Sequence, residues 1–131
     1  MFDKFIQDER RKILDGTYPS RVIDGRQRKH IDGTVEFEQK RASMKRFDPI
    51  AEPSKLKSGL DVQRLVDKYK GSGFVYSVSN SEYPREDIIA DEVIGETWVS
   101  NLGEYVETTV FTISYSKTGV HIFPVNEFGR R

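Results

Sequence analysis

A chain of 131 residues with 36% hydrophobic and 32% charged side chains is long enough to bury one core, and no apolar run approaches the ~20 residues that a membrane span needs. The N-terminal MFDKFIQDERRKIL is too charged for a secretory signal, and the absence of cysteine excludes disulfides, thiolate metal sites and a cysteine nucleophile. The formal net charge of zero hides an asymmetry: residues 1–70 hold 17 Lys/Arg against 12 Asp/Glu, whereas residues 71–131 hold 4 against 9.

Residues 2–14 place Phe2, Phe5, Ile6, Ile13 and Leu14 at helical spacing, with Gly16 as a stop, which predicts a first helix. TYPSRVIDGR then breaks it through Pro19 and the Asp24-Gly25 turn signal. Thr34 is placed to cap a short helix over VEFEQKRA. From Ser43 to Lys57, Pro49, Pro53 and mixed charge predict a surface excursion. Ser58 starts a better helix, LDVQRLVDKYKG, with Asp61 in its first turn, an apolar stripe of Leu60, Val62, Leu65, Val66 and Tyr69, and Gly71 after it.

Everything downstream predicts sheet: FVYSVS, the DIIADEVIGETWV region, YVETTVFTISYS as one strand, and VHIFPV after the turn Ser116-Lys-Thr-Gly119, with Pro124 ending the last strand. In YVETTVFTISYS, Phe111, Ile113 and Tyr115 alternate with Thr112 and Ser114, so an aromatic core face opposes a hydroxyl-rich one. Helices followed by an antiparallel sheet, without a βαβ rhythm or an internal repeat, give an α+β domain over residues 1–131.

No Gly-rich phosphate loop, Gly-x-Ser-x-Gly elbow or His-Glu-x-x-His occurs, so neither a cofactor nor a metal site is expected. What remains is RQRKHIDGT near the start and YSKTGVHIF near the end, each combining a His with a Lys and a hydroxyl. Cleaving an RNA phosphodiester without a metal requires a base for the 2′-OH proton, an acid for the leaving 5′-oxygen, and cations on the non-bridging oxygens. His30 or His121 could be base or acid; Arg26, Lys29 and Lys117 could hold phosphate; Thr34, Thr112 or Ser116 could orient it. Taken singly, each has a plainer reading: a half-buried structural histidine in VHIF, a solvated turn lysine at Lys117, a core Trp98.

The two segments carry a resemblance. Arg26, Gln27, Lys29, His30, Ile31, Gly33 and Thr34, then Ser54 and Leu56, then Lys68, Tyr69, Gly71 and Gly73, then Tyr115, Ser116, Lys117, Gly119, His121, Ile122 and Pro124 form a pattern over residues 25–125. It resembles the polymorphic toxin type 50 domain, a family also found at the C-terminal end of phage minor head proteins of Gram-positive bacteria. Relative to that family the stretch 40–53 looks inserted, and residues 1–20 form a helical extension. The resemblance implies helices packed on a curved antiparallel sheet of the barnase, EndoU, colicin and RelE type. It also implies a metal-independent ribonuclease, with RNA as partner; a protein partner or inhibitor and a cytoplasmic setting in a bacterial or phage-infected cell are expected beside it. On that basis His30 is general base or acid and His121 its partner, Lys29, Lys117 and Arg26 contact phosphate, and Gln27, Thr34 and Ser116 orient it. The rival expectation is a non-catalytic phage or mobile-element module that engages a protein or a nucleotide-like anion through the cationic half.

Overall fold

The computed structural model describes residues 2–126. Helix α1 (Phe2–Leu14) leads through a loop to one helical turn, α2 (Asp24–Gln27), a 3-10 turn (Arg28–His30) and helix α3 (Val35–Phe47). Strand β1 (Lys55–Leu56), helix α4 (Val62–Tyr69) and strands β2 (Phe74–Tyr76), β3 (Arg85–Ile89), β4 (Gly95–Val99), β5 (Glu104–Thr108), β6 (Val110–Tyr115) and β7 (Val120–Pro124) follow. The class is α+β, as expected.

The strands form two antiparallel sheets rather than the single one expected, in the orders β1-β4-β5 and β2-β3-β6-β7. YVETTVFTISYS is accordingly two strands. The break falls at Thr109: beside it the Thr108 hydroxyl donates to the Val125 carbonyl at 2.8 Å and accepts from the Val110 N–H, satisfying backbone groups where the chain changes sheets. The expected excursion over 43–57 is also revised. Residues 43–47 continue α3, and Lys55–Leu56 pair with β4.

Local chemistry accounts for the helix boundaries. Thr34 caps α3, accepting from the Phe37 N–H at 3.0 Å. Asp61 is the cap of α4 rather than a first-turn residue, accepting from the Arg64 N–H at 3.1 Å, so the helix starts later than Ser58. The Asp24-Gly25 pair, expected as a turn, opens α2 instead. On α1, Ile13 is fully buried while Phe5 is 40% and Leu14 58% exposed, and the side chain of Phe2 lies outside the described residues.

One face of the larger sheet packs Val75, Ile88, Phe111, Ile113, Tyr115, Val120 and Ile122 against Ile13, Leu65 and Val66. Within this core Glu86 is fully buried, and its carboxylate accepts from the Gly71 N–H at 3.0 Å, the Gly73 N–H at 2.7 Å and the Tyr115 hydroxyl at 2.7 Å. The Arg10 guanidinium donates to the Gly71 and Gly73 carbonyls. Gly73 must be glycine, because a Cβ there would stand 2.2 Å from the Asp87 carbonyl oxygen. Three features of the motif pattern, the two glycines after α4 and Tyr115, are thus tied together by one buried carboxylate.

Strand β7 is an edge, and the chain preceding α3 covers it. The Val120 N–H donates to the Arg21 carbonyl at 2.9 Å, and its carbonyl accepts from the Ile23 N–H at 2.8 Å. Two residues on, the Gln27 amide takes over the role of a backbone: its Nε2 donates to the Ile122 carbonyl at 2.9 Å and its Oε1 accepts from the Ile122 N–H at 2.7 Å. Pro124 has no N–H to satisfy. This cover docks residues 21–30 along β7.

Candidate active site

Docking along β7 has a consequence for the two histidines. The Gln27 clamp brings the 3-10 turn over the strand, and the His30 ring lies 5.7 Å from the His121 ring, centroid to centroid, with 5° between their planes. Phe123 completes a three-ring cluster, 5.4 Å from His30 and 5.8 Å from His121. His30 is only 5% exposed and its Nδ1 is buried without a hydrogen-bond partner, whereas His121 is half-buried. Thr34 secures the turn from the other side, its hydroxyl lying 2.7 Å from the Arg28 carbonyl and 2.9 Å from that of Ile31.

Both imidazoles face a cleft of about 660 Å³ whose walls include Lys29, Lys40 and Arg85, with Glu36, Gln39, Ser43 and Met44 from α3 and Phe123 from β7. The field inside is cationic. Among the described residues, Arg26, Lys29, Lys40 and Arg85 take part in no ion pair, while Glu36 is held by Arg28 at 3.2 Å. Burial is the main cause that lowers His30 to about 3, followed by the charges of Lys40, His121 and Lys29. Burial likewise leads in lowering His121 to about 4, with Arg26, Arg85, Lys29 and Lys40 adding to it. Burial lowers Lys40 too, and the Lys29 charge adds to that. Two neutral imidazoles amid uncompensated cations make a site that an anion would stabilise.

The residues singled out in the sequence divide accordingly. His30, His121 and Lys29 meet in the cleft, and Arg26, exposed on α2, is near enough for its charge to act on His121. Gln27 and Thr34 are fully engaged in holding the turn. Thr112 lies on the cleft-side face of the sheet, bonded to Asp87 at 2.6 Å. Ser116 donates to the Gly119 carbonyl at 2.8 Å within the β6–β7 turn, and Lys117 is exposed on that turn; neither lines the cleft. The cations found there besides Lys29 are Lys40 and Arg85, which sequence reasoning missed. Glu36, Gln39, Lys40 and Ser43 do fall at helical spacing on one face of α3, a periodicity legible in principle. Arg85 carries no comparable signal, because strand pairing alone brings it to the histidines.

Among the described residues no group of three or more His, Cys, Asp or Glu has the arrangement to hold a metal ion, and no helix is long and apolar enough to cross a membrane. Comparison with curated proteins and with solved structures returned no match. Family comparison did: residues 22–124, which take in both histidine segments and every strand, match the family described as Bacterial toxin 50, and to that family the chain belongs.

Proposed function

We propose that this domain is a metal-independent endoribonuclease in which His30 and His121 act as general base and general acid on an RNA phosphodiester. The observation that carries this reading is the placement of the chain's two histidines face to face in one cleft whose cations, Lys29, Lys40 and Arg85, take part in no ion pair among the described residues. Lys29, Lys40 and Arg85 would hold the non-bridging phosphate oxygens. His30, the more buried and the more strongly lowered, stays neutral and accepts the 2′-OH proton. The 2′-oxygen then attacks phosphorus, the bond to the 5′-oxygen breaks, and His121 donates a proton to that leaving oxygen. The products are a 2′,3′-cyclic phosphate and a 5′-hydroxyl, and exchange of the two protons restores the site.

An acid lowered to about 4 is poorly supplied with protons at neutral pH. A bound phosphate offsets this, because it neutralises the cations that, after burial, hold the His121 pKa down. The same lowered values favour the second reading, a non-catalytic module that binds an anion through the cations while the histidines stay neutral. Incubation of the purified domain with total RNA in EDTA separates the two. Cleavage that leaves 2′,3′-cyclic ends and disappears in His30→Ala supports the enzyme; intact RNA together with retained anion binding supports the module.

A further inference from the structure

The cleft-side face of the larger sheet continues past the histidines. Cross-strand pairing aligns His121 with Ser114, Ser114 with Arg85 and Arg85 with Tyr76; one row along, it aligns Phe123 with Thr112, Thr112 with Asp87 and Asp87 with Phe74. Directly paired residues share a face, so these two rows run over all four strands on the side away from the core. At the far edge Phe74 and Tyr76 stack, with ring centroids 5.8 Å apart and 27° between planes. The Tyr76 ring is anchored: its hydroxyl donates to Asp87 at 3.1 Å, and the same carboxylate oxygen accepts from Thr112. Phe74 beside it is 61% exposed. Midway stands Arg85, its guanidinium 5.5 Å from the Phe123 ring.

We propose that Phe74 and Tyr76 form a base-stacking subsite for single-stranded RNA, which receives a base beyond the nucleotide whose phosphate lies at His30 and His121, while Arg85 meets the intervening backbone. The proposal rests on the ribonuclease reading above and extends it. Three strand spacings separate Tyr76 from His121, about 14 Å, which is further than a single nucleotide reaches. The order of the row, imidazole then guanidinium then stacked rings, matches a strand whose phosphates and bases need different partners. Stacking is indifferent to base identity, since every base presents a π-face. A protein partner fits less well, because Arg85, Asp87, Thr112 and Ser114 interrupt the apolar surface between the two aromatic ends.

The test is fluorescence anisotropy with an octauridylate whose riboses are 2′-O-methylated, which removes the attacking hydroxyl so that binding is read without cleavage. Phe74→Ala is expected to weaken binding on the order of tenfold, the worth of one stacked base, while Phe74→Trp retains it. Phe74 is a surface residue, so circular dichroism should be unchanged in both variants. Equal affinity of Phe74→Ala and wild type, with cleavage of unmodified RNA intact, overturns the subsite and leaves the ribonuclease reading standing. No binding of the octamer by wild type, together with intact RNA in EDTA, overturns both.

Discussion

His30 reaches the chain's other histidine, His121, from the opposite end of the sequence, and the two rings lie parallel with 5.7 Å between their centroids. The pairing is costly to the fold, because burial first and then the surrounding cations lower the pKa of each imidazole, and His30 leaves its Nδ1 buried without a partner. If the two act as base and acid, replacing either by Ala lowers cleavage of RNA in EDTA by on the order of 10²-fold or more. The double variant should fall little further than the worse single one, since groups acting in one proton-transfer step are not additive. Single-turnover rates on one defined oligonucleotide measure this, and fully multiplicative losses would count against a shared step.

Acid lability follows from the same two residues. Their folded pKa values, about 3 and about 4, lie below the ordinary value of 6.5, so the unfolded chain takes up protons first as pH falls. The stability they contribute is complete above about pH 6.5 and is lost as the pH drops through that value toward 4 and 3. Between pH 6.5 and 5, where carboxylates contribute little, each histidine should remove on the order of 1–2 kcal/mol. Urea denaturation across that window measures it, and His30→Asn should flatten the slope.

Among the cations, Lys40 and Arg85 line the cleft, whereas Lys117 stands exposed on the β6–β7 turn. Lys40→Ala and Arg85→Ala should each reduce RNA cleavage by roughly tenfold or more, for the loss of a charge-assisted phosphate contact. Lys117→Ala, on the exposed turn away from the cleft, should change it less than about twofold. A strong effect of Lys117→Ala with none from Lys40→Ala would relocate the phosphate.

Gln27 offers a stability test of how the site is assembled. Gln27→Leu removes both bonds to Ile122 and leaves a buried N–H and carbonyl unpaired, at a cost of about 2–3 kcal/mol. Because the clamp also holds His30 over β7, activity should drop even at temperatures where the variant remains folded. Chemical denaturation and a cleavage assay on the same sample read the two effects separately.

Much of this molecule was legible in one dimension. Alternation in VFTISY assigns Phe111, Ile113 and Tyr115 to the core and leaves Thr112 and Ser114 on the other face, because a pleated strand sends successive side chains to opposite sides. Thr34 marks the start of α3 because its hydroxyl can satisfy an orphan N–H, and the two histidine segments stand out because the chain has no other histidine. What only the tertiary structure decided are the relationships that depend on pairing between distant segments. Gln27 substitutes for a strand along β7, which no local pattern encodes, and the clamp sets His30 against His121. Arg85 arrives through the register of β3 against β6, and Glu86 gathers the glycines after α4 and Tyr115 into one buried network. Local sequence fixes which face a side chain takes, whereas the partners it meets there are set by hydrogen bonds made between segments far apart in the chain.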